Sequence, residues 1–524
     1  MTNANKHLTI NIPEREKFEN LTTYAGKLSD IYIKKYSPET RKPKGQFFTP
    51  DGISAFMAEQ FDINGKEIRL LDPAAGTGIL TAAFCDAVLK VNRKIKIVAD
   101  IYENDEVVLP FLEATLASCK SKLEDNGKEF EYNVYGDFIT ASQSKSRYDF
   151  VIANPPYYKL SKAISPKNMH RLIALHPNIY TLFMDIAVRL LKPSGEAVFI
   201  TPRSFCSGTY YNDFREQLLG STLIKNIHIF ESRKEVFHNE DILQESIVIK
   251  LKKVVPTSNE KIGISVSDNG HLDNTEGFVA NYSDIVYKKN QQAFIRIPTS
   301  EEELKIIRLI DKWPNTLSDL GLEISTGPVV AFRTQSHLYR GEDSPIGVPL
   351  IWMHNMKDFE VEWPVENKKG KPNVIAVNDK TAKLLLPSKN YVLIKRFTSK
   401  EQARRLCAVP FLRASMNFPK IGLENHVNYI HKINGELSLY EAVGIAAILN
   451  TTYVDKYFRA LNGNTQVNAT DMRHIPLPSI EDILLVGKLV NGSDDIRATA
   501  QFDTIVMDKL NLRRKVVSLT KAIS

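Results

Sequence analysis

In the first half of the chain, short apolar runs alternate with stretches whose apolar residues recur every three or four positions. The short runs are EIRLLD (67–72), KIVADIYE (96–103), YDFVIA (148–153), GEAVFIT (195–201), IKNIHIF (224–230) and ESIVIKLKK (245–253). Their length and boundaries are those of strands. ILTAAFCDAVLKV (79–91) and IYTLFMDIAVRLL (179–191) carry the helical spacing. Strands alternating with helices predict an α/β fold with a mostly parallel, twisted sheet. Past 255 the pattern breaks at the polar, proline-containing VVPTSNEK. The reading that follows is a first unit over 1–255, an irregular connector over 256–299 and a second, mixed α+β unit over 300–524. In the second unit SEEELKIIRLIDKW (300–313) and the stretch Leu439 to Asn450 read as helices, and alternation elsewhere is poor.

Composition narrows the class of protein. With 524 residues, 43% hydrophobic and 25% charged, the chain has globular composition and length for more than one domain. No N-terminal apolar leader precedes a cleavage site, and no run approaches the ~20 apolar residues that cross a bilayer. A soluble cytoplasmic protein without a membrane partner is expected. Cys85, Cys119, Cys206 and Cys407 lack C-x-x-C spacing, His426 and His431 have no carboxylate or thiol partner in metal-like spacing, and Asp358, Glu366 and Lys368 form only a loose D…E-x-K, so neither a disulfide framework nor a metal is expected. The net charge of +7 is mild, but between Lys389 and His426 eight basic residues face two acids. That concentration suits a nucleic-acid backbone.

The chemistry gathers at strand ends. LLDPAAGTGIL (70–80) follows one predicted strand and opens a predicted helix. Gly76 and Gly78 place no Cβ where the backbone turns, so a ligand can approach main-chain N–H groups. The third glycine of a dinucleotide fingerprint and the G-K-[ST] of a phosphate loop are missing. Glu103 closes the next strand at an offset suited to ribose hydroxyls, and Asp137 with Phe138 could meet an adenine ring. NPPY (154–157) follows YDFVIA directly. Pro155 and Pro156 withhold two N–H groups and fix φ, which leaves a rigid corner of acceptors. The Asn154 amide oxygen and a neighbouring carbonyl can take both hydrogens of an exocyclic amine, and Tyr157 offers a face for a base.

In this order GQFFTP (45–50), LDPAAGTG and NPPY resemble the gamma class of S-adenosylmethionine-dependent N6-adenine DNA methyltransferases found in type II restriction-modification systems. The resemblance implies a Rossmann-like catalytic domain followed by a target-recognition domain. It assigns Phe47, Phe48, Thr49, Pro50, Asp72, Pro73, Ala74, Gly76, Gly78, Glu103, Asp137, Phe138 and Asn154 to the cofactor. Asn154, Pro155, Pro156 and Tyr157 go to the target base, and Phe237 is a second aromatic against it. The strings YVLIKRFTSKEQARRL, IGLENHVNYIH and LNGNTQVNATDMRHIPLP resemble the recognition half of such enzymes. Lys395, Arg396, Lys400, Arg404, Arg405, Asn464, Gln466 and Asn468 are the DNA-contacting candidates. His426 and His431 read as structural residues. The implied substrate is duplex DNA, modified by a monomer in a bacterium or archaeon, with a cognate endonuclease acting separately on the same site. N4-cytosine methylation, or an RNA or protein amine as acceptor, would use the same corner.

Overall fold

The computed structural model describes residues 11–41, 44–139, 147–160, 176–230, 245–257, 259–267, 272, 275–289, 292–340, 347–365, 370–398, 402–462, 466–493 and 499–510. The chain forms two compact units, Met1–Phe205 with Tyr210–Ile285, and Cys206–Thr209 with Val286–Ser524.

The first unit is built on a nine-stranded sheet in the order β3-β2-β1-β4-β5-β7-β6-β8-β9. Its strands are β1 (Glu67–Asp72), β2 (Lys96–Tyr102), β3 (Glu129–Tyr135), β4 (Tyr148–Ala153), β5 (Leu191–Pro202), β6 (Leu223–Phe230), β7 (Ser246–Lys252), β8 (Lys261–Ser267) and β9 (Thr275–Asn281). From β3 to β5 neighbouring strands run parallel, while β7 lies antiparallel between β5 and β6. Among the described residues this unit's helices are α1 (Leu21–Lys35), the single turn α2 (Pro38–Arg41), α3 (Asp51–Glu59), α4 (Ile79–Leu89), α5 (Leu109–Asp125), α6 (Ile179–Leu190), α7 (Asn212–Ser221) and the single turn α8 (Tyr282–Ile285). Phe150 and Ile152 of β4 join one core with residues of α1, α3, α4 and α5. Val151 and Ala153, 0% exposed, alternate to the opposite face. A strand covered on both sides reads as an unbroken apolar run, which is why YDFVIA was legible.

Two features depart from the expected boundaries. The stretch expected to be a connector contributes β8 and β9 to the sheet. Ile262, Ile264 and Val266 alternate inward, but their intervening polar residues hid the strand in a proline-bounded region. EFEYNVY likewise forms the edge strand β3, its glutamates facing solvent.

The turn from β1 into α4 sets the floor of the site. Asp72 is 0% exposed; its Oδ2 accepts from Thr81 Oγ1 at 2.8 Å and its Oδ1 from the Ala74 N–H at 3.4 Å. Gly76 and Gly78 both hold positive φ, 56° and 86°. A Cβ on Gly78 would press on Leu112 and Thr115 of α5, so this glycine lets two helices approach.

In the second unit Ser300 caps the helix Glu301–Ile310 by accepting from the Glu303 N–H at 3.2 Å, with three acids in the first turn. An antiparallel sheet joins Leu322–Thr326, Val427–Lys432, Tyr391–Lys395 and Ala408–Phe411 in that order. A five-stranded sheet joins Leu338–Tyr339, Val374–Ala376, Gly347–Ile351, Lys420–Leu423 and Leu385–Pro387. Helices Leu439–Leu449 and Ile480–Asn491 touch backbone to backbone, because a Cβ on Gly444 would overlap the carbonyl of Ile483 and one on Gly487 the carbonyl of Tyr440.

Two outcomes follow from this packing. Gly444→Ala should lose ~1–3 kcal/mol in denaturant unfolding, since a backbone carbonyl cannot yield to an added methyl; an unchanged midpoint would contradict the close crossing. Burial above all pushes the Asp72 carboxyl up to about 7, so the folded state binds a proton there that the unfolded chain has released. Asp72 therefore makes stability fall as pH rises from about 4 to about 7. Thermal melting across that range should show a shallower decline in Asp72→Asn than in the parent.

Candidate active site

The carboxyl ends of β1, β2 and β4 and the turn after β3 open on one cavity of about 370 Å³, a volume in the range of small-molecule sites. Phe47, Phe48, Thr49, Pro73, Ala74, Gly76, Glu103, Asp137, Phe138, Asn154 and Pro156 line it, so most of the candidates for cofactor and amine binding converge. Each remaining candidate has a different place. Asp72 lies beneath the 73–78 turn and braces it. Gly78 is not among the lining residues, and the space its missing Cβ leaves is taken by Leu112 and Thr115 of α5. Gly76 remains a true close approach, since a Cβ there would meet the ring of Phe48 at 3.1 Å. Pro50 occupies the N-cap position of α3, and Pro155 is a buried residue between the lining residues Asn154 and Pro156. Phe237 lies outside the described residues.

Glu103 and Asp105 divide the work at the end of β2. Glu103 is half-buried; its Oε2 accepts from the Gly76 N–H at 2.9 Å and its Oε1 from the Asp105 N–H at 2.8 Å. Burial raises its carboxyl above the ordinary value. Asp105 accepts from Lys44 Nζ and Gln46 Nε2, both at 2.7 Å, and from Tyr32 Oη at 3.3 Å. Burial opposes the Asp105 charge, but the hydrogen bonds from Lys44 and Gln46 outweigh it and hold the carboxyl below its usual range. Sequence reasoning passed over Asp105. The signal available was its place two residues after Glu103, with Gln46 standing beside the aromatic pair.

Across the cavity, Phe138 is 1% exposed and meets Tyr102 edge-on at 5.1 Å, while Asp137 is exposed and accepts from the Ile139 N–H at 3.0 Å. Tyr102, Phe183 and Tyr158 also line the cavity and were not foreseen.

The NPPY corner is locked to the segment that precedes α3. Asn154 Nδ2 donates to the Phe47 carbonyl at 2.8 Å and to Thr49 Oγ1 at 3.0 Å. Tyr157 Oη donates to Asn154 Oδ1 at 2.8 Å and to the Ile200 carbonyl at 3.2 Å. Phe47 stacks on Tyr157 with centroids 5.4 Å apart, and Tyr180 meets the Tyr157 ring edge-on at 6.2 Å. Burial drives the Tyr157 hydroxyl far above its ordinary value, so it stays protonated as a donor. Because both Nδ2 hydrogens are engaged, the amide presents its oxygen as the remaining functional atom, with one lone pair beyond the bond from Tyr157.

The basic candidates of the second unit separate as clearly. Lys395 and Arg396 are half-buried, and Arg396 donates to the Asn425 carbonyl at 3.0 Å and to Gln466 Oε1 at 3.4 Å. Arg404 lies 3.7 Å from Asp503. Arg405 is 1% exposed and donates to Thr398 Oγ1 at 3.1 Å, which corrects its assignment to a phosphate-facing surface. Asn468 donates to Asp471 at 3.2 Å, while Lys400 and Asn464 lie outside the described residues. Among the described residues no group of three or more His, Cys, Asp or Glu could hold a metal ion, and no helix is long and apolar enough to cross a membrane.

The arrangement can therefore hold a small ligand under a fixed amide acceptor, and comparison with known proteins is consistent with that chemistry. Residues 53–237 match the family described as Eco57I restriction-modification methylase. The type II methyltransferase M.BsuBI of Bacillus subtilis is 38% identical over 461 residues, covering 85% of this chain and 90% of its own. M.PstI of Providencia stuartii is 36% identical over 459 residues, covering 85% of this chain and 89% of its own. With similarity of that depth over nearly all of both relatives, this chain belongs to the type II methyltransferases of restriction-modification systems.

Proposed function

We propose that the protein transfers the methyl group of S-adenosylmethionine to N6 of an adenine flipped out of a short duplex DNA site, marking that site against a cognate endonuclease that acts separately. The supporting observation is the pinned Asn154 side chain, which lines the cavity with its amide nitrogen consumed by Phe47 and Thr49, so that the oxygen is the polar atom left to accept. The order of the 45–50, 70–80 and 154–157 motifs, which resembles the N6-adenine class, favours adenine over cytosine.

The residues present suit the cofactor. Glu103 offers a half-buried carboxylate to vicinal hydroxyls, Tyr102, Phe138 and Phe183 surround a site for a flat ring, and Phe47 to Thr49 close the opposite end. When bound, S-adenosylmethionine supplies an electrophilic methyl on a sulfonium. The protein's own part is positioning. Asn154 Oδ1 and the Pro155 carbonyl accept the two N–H bonds of the target amine and turn its lone pair into the cavity. The same acceptors stabilise the positive charge that develops on nitrogen, and the proton then passes to solvent. Unstacking the adenine costs a few kcal/mol, offset by stacking on the open part of the Tyr157 ring. Tyr157 also holds Asn154 through its hydroxyl. Duplex DNA is engaged by one copy of the chain, with Lys395, Arg396 and Gln466 in its recognition unit.

Incubation with unmethylated plasmid and isotopically labelled S-adenosylmethionine, followed by nucleoside analysis and modification sequencing, should place label in N6-methyladenine at one recurring short word. Label in N4-methylcytosine, RNA or protein instead would refute the adenine assignment. Asn154→Ala should lower turnover by roughly 10²-fold or more, in the range for loss of one preorganised polar contact, while calorimetric binding of S-adenosylhomocysteine persists. Full activity in this variant would sink the role given to the amide.

A further inference from the structure

In the second unit, the turn Glu424–His426 is stitched to two other segments. The Arg396 N–H donates to the His426 carbonyl at 2.9 Å, the Val467 N–H donates to the Arg396 carbonyl at 2.8 Å, and Phe397 bridges to Gln466. Glu424 is 1% exposed, and both its carboxylate oxygens serve His426: Oε1 lies 2.7 Å from Nδ1, and Oε2 accepts the backbone N–H at 2.9 Å. The His426 ring, 42% exposed as a side chain, meets Phe397 edge-on at 4.8 Å. Its orientation and tautomer are therefore set: Nδ1 carries the proton toward Glu424, and Nε2 is the atom offered outward.

A carboxylate withdrawn from water needs full compensation. Here a buried one is devoted to a single surface imidazole, although a neutral side chain could close the same turn. The neighbours present donors. Gln466 Oε1 is engaged by Arg396, which leaves the Gln466 amide hydrogens, and Arg396 is held on one side by the Asn425 carbonyl with further N–H groups remaining. Two adjacent acceptors that donors can grip are what a guanine shows in the major groove, at O6 and N7.

We propose that Arg396 and Gln466 donate to O6 and N7 of one guanine in the recognised DNA word, while His426, oriented by the buried Glu424, accepts at Nε2 from N4 of the paired cytosine. The inference rests on the reading of this protein as a DNA methyltransferase. Glu424 is a positioning residue, since it acts only through His426.

The test is methylation of a randomised duplex library by the full-length parent, His426→Ala, His426→Gln and Glu424→Gln, with modified words sequenced and folding checked by thermal melting. The expected result is loss of discrimination at one G·C pair by 10-fold or more in the His426 variants, and a smaller loss at the same pair in Glu424→Gln, with S-adenosylhomocysteine binding unchanged. Weakening that is uniform across all words, accompanied by a flatter salt dependence, would make the patch a phosphate contact and overturn the inference. An unchanged word and rate would overturn it as well, reducing Glu424 to a turn-closing residue. If His426→Ala fails to fold, His426→Gln decides by the same criterion. Absence of methylated DNA with the parent protein would instead refute the function on which the inference stands.

Discussion

The two hydrogen bonds donated by the Asn154 amide nitrogen connect parts of the chain more than a hundred residues apart, and the cavity depends on them. They tie the 47–49 segment to the end of β4, and they leave the amide oxygen as the atom of Asn154 with accepting capacity to spare. Tyr157 completes the lock through its own hydroxyl while stacking on Phe47, so the wall and the acceptor are one assembly. A side chain fixed at both of its polar atoms needs little reordering when an amine arrives, and such preorganisation is where positioning catalysis draws its advantage.

Acidic residues in the first unit show how burial sorts groups of the same chemistry into different tasks. Asp72 is enclosed and braces a turn, with its carboxyl pushed toward the neutral form. Glu103 keeps one side on the cavity while two backbone N–H groups orient it. Asp105 gathers Lys44 and Gln46 and so ties the approach to the aromatic segment back to β2. Glu103 and Asp105 both line the cavity, whereas Asp72 is fully enclosed.

Charged side chains in the second unit separate along the same line. Arg405 is drawn into the interior by Thr398, while Arg404 turns to Asp503. Glu424 is buried but turned toward a surface imidazole, which makes the local turn stiff where stiffness favours recognition over simple adhesion.

Local periodicity was enough to determine most of the sheet around the site. YDFVIA is covered on both faces and EIRLLD over its last three residues, and both read as strands directly; the order of the glycine turn, Glu103 and NPPY identified the ends that converge. The edge strands β3 and β9, and β8 beside β9, were less legible, because a strand with one solvated face or a polar flank lacks the continuous apolar run. Tertiary structure alone decided which of two glycines lines the cavity: Gly76 does so beside Phe48, whereas Gly78 meets a helix some thirty-five residues away in the chain. It alone separated Arg405 from the basic surface and added Asp105 to the site. The reason is physical. A residue's type and spacing dictate the backbone it favours, but its exposure, its partners and its protonation depend on what distant segments pack against it.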